Sequence, residues 1–154
     1  MPAPETAELK RLLRSEGFEI YRTLDGRVLL AERIRDNLIM DSGVAAGPLP
    51  AGPGTDPTAT VLGVFVAIRA QLGHFPGAGP EAVLSHAWDL ARAFQERGYE
   101  AGEPSSADIR DPSHPDRILD KIFEIPLARE LVDADELLGE LRMALSLPRS
   151  SNDG

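Results

Sequence analysis

The chain has 154 residues and a mass of 16.6 kDa, the size of one domain, and its lack of cysteine excludes a disulfide, a thiolate nucleophile and a zinc ribbon. Sixteen Lys and Arg against 25 Asp and Glu give a net charge of −9 and a pI near 4.8. A surface of that sign repels nucleic acid and anionic lipid, so neither is expected as a partner. The negative charge is concentrated: Met1–Arg35 holds seven basic and six acidic residues, whereas Glu96–Glu140 holds five and thirteen. The opening MPAPETAELKRLL lacks the apolar h-region of a secretory signal. The longest apolar run, Val61–Ile68, is far short of the roughly 20 residues that span a bilayer. A cytoplasmic protein is expected, with a core built mainly from Leu, Val, Ile and Ala because aromatics are only 5%.

In chain order, Leu9, Leu12 and Leu13 recur at helical spacing between Glu5 and Glu16, with Thr6 placed to cap the helix and Gly17 to stop it. A hairpin follows, Phe18–Thr23 with Arg27–Arg35, around Asp25-Gly26, a dipeptide that tolerates positive φ in a tight turn. Polar residues fall on both faces of every pairing of this hairpin, so the pattern does not select a register. Leu38–Val44 reads either as a separate strand or as the far side of a bulge. Four prolines and three glycines in GPLPAGPGTDPT make 47–59 a loop, expected to be mobile since it has no aromatic or basic group to hold a ligand.

Thr60–Ala70 is the strongest strand signal. Leu62, Val64, Val66 and Ile68 fall on one face, Val61, Phe65 and Ala67 on the other, and apolar character on both predicts a strand covered on both sides. Pro80–Arg97 predicts a helix closed by Gly98, with a broad apolar stripe centred on Trp88; loss of that indole is expected to cost roughly 3 to 5 kcal/mol. A short strand is expected near Ala107–Arg110, then a loop at DPSHPD, then a strand from Leu119 that ends at Pro126 or lies at an edge, because proline lacks the ladder N–H. Asp133 with Glu136 suggests a capping box opening a helix to about Leu147, and residues 148–154 read as a disordered tail.

The expected fold is therefore α+β, one domain over residues 1–147, with an antiparallel sheet of about five strands and helices packed on it in the order α-β-β-β-α-β-β-α. Catalytic chemistry is sparse. His74, His86 and His114 have no partner at metal-ligand spacing, Asp41-Ser42-Gly43 lacks the first glycine of a nucleophile elbow, and Gly52 and Gly54 are not followed by the Lys-Ser or Lys-Thr of a phosphate loop. No metal and no cofactor is expected. His86 with Asp89, or His114 among Asp111 and Asp116, leaves a small hydrolase or transferase as the alternative reading.

The amphipathic first helix ELKRLL, the hairpin around Leu24-Asp25-Gly26-Arg27, the strand-loop-helix from Val61 to Phe94 and the terminal helix DELLGELRMAL follow one another in an order that resembles the class I type III secretion chaperones and the related YbjN-like proteins. The resemblance is one of architecture, size and acidity, over Glu5–Leu147. It implies a non-enzymatic protein-binding module, a chaperone or regulatory adaptor, forming a homodimer that holds a segment of another protein on apolar grooves beside its sheet. Val61 and Phe65 are the candidate apolar contacts, although such residue types serve equally as core. Glu96, Glu100 and Glu103 are the candidate charged contacts, through which rising salt is expected to slow association with a basic client.

Overall fold

Asp25 and Gly26 both have positive φ, 52° and 79°, the combination that a two-residue hairpin turn matched to strand twist requires. They join β1 (Ile20–Leu24) to β2 (Arg27–Arg35) with Leu24 opposite Arg27, Thr23 opposite Val28 and Arg22 opposite Leu29. This is the register that the side-chain pattern does not select. In the computed structural model, which describes residues 3–50 and 60–151, the other elements are α1 (Thr6–Ser15), β3 (Leu38–Pro50), β4 (Thr60–Gln71), α2 (Pro80–Gln95), β5 (Glu100–Ala101), β6 (Ser105–Asp111), β7 (His114–Glu130) and α3 (Leu137–Ser146).

The class is α+β, as expected, but among the described residues the sheet has seven strands rather than about five, in the order β1-β2-β3-β4-β7-β5 with β6 also on β7. The two added strands are β5 and the one from Leu38, and the connections differ as well. Leu38–Val44 is a strand of its own and also contains a bulge: the pairing jumps from Ala31 opposite Asp41 to Leu29 opposite Ala45. The Asp41 carboxylate accepts from the Gly43 N–H and Ser42 Oγ from the Val44 N–H there, so Asp41-Ser42-Gly43 lies within the strand rather than ending it. The strand then continues through Gly47–Pro50, which pairs with Gly63–Thr60, so the expected loop begins only beyond Pro50; residues 51–59 lie outside the described residues. At DPSHPD the chain makes a hairpin, with only Pro112 and Ser113 between β6 and β7, and the Asp111 carboxylate accepts from the Ser113 N–H.

Pro126 does not end β7, which runs on to Glu130. Its carbonyl accepts from the Gly102 N–H at 2.8 Å. In an antiparallel ladder the N–H of a residue points to the same neighbour as its C=O, so the missing donor faces the break between β5 and β6. At the helix ends, Glu5 rather than Thr6 precedes α1, without a side-chain cap. Asp133 caps a 3-10 turn (Ala134–Glu136) by accepting from the Asp135 N–H, and Glu136 turns to Arg129 at 3.8 Å instead of completing a box.

The chain divides into two compact units, Met1–Val66 with Ala128–Ser146, and Ala67–Leu127 with Leu147–Gly154. In the first, Val28, Leu30, Val44, Ala46, Leu62, Val64 and Val66 form one sheet face that is fully buried. Leu9 and Leu13 of α1 and Leu137, Leu141 and Ala144 of α3 close it, and Arg129 reaches Glu140 of α3 at 2.8 Å. In the second, Val83, Ala87, Ala91 and Phe94 of α2 are buried with Ile68, Ala70, Ile125 and Leu127, and Phe94 meets Tyr99 edge-on. Trp88 is only half-buried, so the centre of the helix stripe is Phe94 rather than the indole. The expected disordered tail is ordered as far as Ser151: Arg149 is buried and Arg149–Ser151 pair with Arg69 (Arg69 N–H to Arg149 O, 2.9 Å; Ser151 N–H to Arg69 O, 3.0 Å). Residues 152–154 lie outside the described residues. Among the described residues no helix is long and apolar enough to cross a membrane.

Candidate functional site

Alternation along β4 gives the first unit its second sheet face, opposite the helices. Arg22, Leu29, Ala45 and Phe65 form one cross-strand row on it, because each lies opposite the next in the strand pairing. Leu49 and Val61 form another. Between these rows stand Gly47 and Gly63, opposite one another. The absence of side chains here is a packing requirement: a Cβ on Gly47 would come within 2.9 Å of the Arg27 Cα, and one on Gly63 within 3.0 Å of the Leu49 Cβ. The Arg27 side chain lies over Gly47 and reaches Phe65, its guanidinium 3.7 Å from the ring centroid. Phe65 is 8% exposed, with that cation over its ring. Leu29, Leu49 and Val61 are half-buried and Leu24, on the same face as Arg27, is 46% exposed.

The structure thus brings Val61 and Phe65 together on one face, with Arg27, which the sequence reading did not single out. Its position depends on the pairing of β2, β3 and β4, and no local motif marks it. Glu96, Glu100 and Glu103 belong to the second unit, where all three are exposed between the end of α2 and β6.

The histidines arrange differently from either enzymatic expectation. Asp89 pairs with Arg92 at 3.0 Å, while His86 lies against the Phe75 ring, so His86 and Asp89 do not act as a pair. His114 opens β7 on the exposed hairpin tip, and Asp111 is engaged with the turn backbone. The polar constellation that does form is around His74. Its Nδ1 is 2.5 Å from Ser151 Oγ, which also accepts from the Gln71 N–H at 3.2 Å. Asp120 accepts from Gln71 Nε2 (2.7 Å), the Gly73 N–H (2.8 Å) and the Lys121 N–H (2.8 Å). A serine, a histidine and an aspartate meet, but the carboxylate is engaged by three other donors, and the nearby Gly73 and Gln71 N–H groups are already used within the cluster. The arrangement fastens Ser151 and the turn at Leu72–His74 to the end of β4. Among the described residues no group of three or more His, Asp or Glu is placed to hold a metal.

The hydrogen bond from Gln71, with the Lys121 and Gly73 N–H groups and the nearby His74, holds the Asp120 carboxyl below its ordinary pKa. A lowered folded value means that this carboxylate stabilises the fold above the unfolded aspartate value of about 3.9, and that the contribution fades as pH falls through the lower folded value. Amide-exchange protection at Gly73 and Lys121 is therefore expected to hold from neutral pH down to about 4 and to drop below it. Asp120→Asn is expected to show weaker protection throughout, without that acid step.

Comparison of the chain with family models, with curated proteins and with solved structures finds no match in any of the three.

Proposed function

We propose that this chain is a cytoplasmic, non-enzymatic protein-binding module, of the chaperone or regulatory-adaptor kind, that holds an extended segment of a partner protein on the open face of β2, β3 and β4. One observation carries the reading. Within the first unit, alternate residues of β4 differ in cover: Leu62, Val64 and Val66 are at most 2% exposed on the helix side, whereas on the other side Val61 is half-buried and the Phe65 ring, 8% exposed, has the Arg27 guanidinium over it. An apolar face whose rim at Leu24, Leu29, Leu49 and Val61 reaches solvent is the kind of surface that takes a protein segment. Exposed Ile34, Leu38, Ile39 and Met40 on the arm formed by β2 and β3 support the accompanying proposal of a homodimer. No arrangement around His86 or His114 favours the hydrolase or transferase reading.

The test is a photoreactive phenylalanine analogue placed at position 61, with the same residue at Glu81 on the exposed start of α2 as control. In the cells that make the protein, position 61 is expected to crosslink to one heterologous polypeptide over a short contiguous segment, and position 81 is not. Absence of a crosslink at position 61, or a crosslink only to a second copy of this chain, would overturn the reading of this face. Sedimentation of the purified chain at micromolar concentration reports the dimer separately.

A further inference from the structure

The guanidinium carbon of Arg27 lies over the Phe65 ring, 3.7 Å from its centroid. A cation–π contact of this kind does not use up the N–H donors of a guanidinium, whose fork matches a carboxylate bidentately. Among the described residues neither Arg27 nor Arg22, one cross-strand row away on the same face, has a carboxylate partner. Other arginines of the chain do: Arg33 pairs with Glu19, Arg69 with Glu124, Arg129 with Glu140 and Arg142 with Glu16. Arg27 and Arg22 thus place two cations without a carboxylate partner beside Leu24, Leu29, Leu49 and Val61.

We infer that the open face selects an acidic-apolar segment, one in which a glutamate or aspartate alternates with apolar side chains. Its carboxylates meet Arg27 and Arg22 while its apolar residues cover Val61, Leu49 and the Phe65 edge. This rests on the reading of the face as a protein-docking surface and adds the chemistry of the occupant. The charge argument also separates this occupant from a second copy bound through the same face. A two-fold interface sets equivalent patches against each other, which would bring the unpaired arginines of the two copies together.

Long-range electrostatics act in the opposite direction to the local pairing. The whole chain carries −9, so an acidic segment is not steered toward it. At physiological salt that repulsion is screened beyond about 8 Å, whereas contacts made on the face are not. The preference for acid therefore belongs to the dissociation rate. This reverses the expectation of a basic client drawn in by Glu96, Glu100 and Glu103.

The probes are two fluorescein-labelled ten-residue peptides, one alternating glutamate with leucine and valine, the other with lysine in place of each glutamate. Binding is followed by anisotropy and stopped flow at physiological salt. The glutamate peptide is expected to bind roughly tenfold more tightly, two part-desolvated ion pairs of about 0.7 kcal/mol each. The difference is expected to lie in dissociation. Arg27→Gln is expected to cut the preference to about threefold and Arg27→Lys, which keeps the charge but loses the bidentate fork, to restore part of it; each variant is checked for an unchanged melting curve. Equal binding of the two peptides, a preference for lysine, or a glutamate preference that survives in Arg27→Gln with Arg22→Gln would each overturn the inference. If neither peptide binds while position 61 still crosslinks to a heterologous partner, the acidic selectivity fails and the docking face stands. If the crosslink fails as well, both fall.

Discussion

Phe94→Ala is expected to be the most damaging single truncation in the second unit, at about 3 to 5 kcal/mol, while Trp88→Ala costs about 1 to 2 kcal/mol. Both residues lie on α2, and the indole is the larger group, so residue size alone would order them the other way. Burial reverses the order. Phe94 is 0% exposed and is boxed in by Tyr99, whose ring meets it at 84° with centroids 5.5 Å apart. Removing its ring opens a cavity that the fixed neighbours Val83, Ala87 and Ala91 cannot fill, and it takes away the edge-on aromatic contact as well. Trp88 keeps part of its surface in water in the folded chain, so less is lost. Urea unfolding followed by far-ultraviolet circular dichroism measures both variants on one scale, and equal midpoints would contradict this assignment of the core.

In the first unit the largest effect is expected from Arg129→Met, at about 3 kcal/mol. Glu140 on α3 is 6% exposed, and the Arg129 guanidinium stands 2.8 Å from its carboxylate, itself 29% exposed. Removing the cation leaves a buried carboxylate without its closest counter-charge, which costs more than the intact pair contributes. Adding Glu140→Leu is therefore expected to return most of the lost stability, since the double replacement removes the stranded charge and puts apolar atoms where α3 meets the sheet. Thermal unfolding of the two single variants and the double variant closes the cycle. A double variant no more stable than Arg129→Met would show that the loss comes from packing of the arginine stem.

The parts of the fold that were legible in the sequence are those set by neighbouring residues. Asp25-Gly26 specifies its turn from two residues, the start of α2 follows from Pro80 and its end from Gly98, and the alternation of Thr60–Ala70 reads directly as β4. What was missed depends on which side of a strand is occupied. Pro48 and Pro50 marked a loop because proline has no N–H, yet they stand at alternate positions of β3, opposite Leu62 and Thr60. Both missing donors therefore point the same way, beyond the start of β2 at Arg27, where no ladder needs them. Pro126 is accommodated similarly by the break between β5 and β6. The proposed docking face was half legible: Val61 and Phe65 announce an apolar second face, but the arginine lying over it depends on three strands being in register. His74 and Ser151, 77 residues apart, carry no local signal at all.

The sole tryptophan of the chain lies on α2, in the second unit, and the first unit has none. Indole emission is consequently a built-in optical label for one half of the molecule. Its wavelength shift on heating reports the environment of α2 alone, while the amide bands report helices and strands throughout. Superimposable traces from the two signals would mean that the two units melt as one cooperative body, and separated traces that each has its own transition. Ligands taken up beside Phe65 should leave the indole signal dark unless the disturbance travels along β4 or β7, the two strands that both units share.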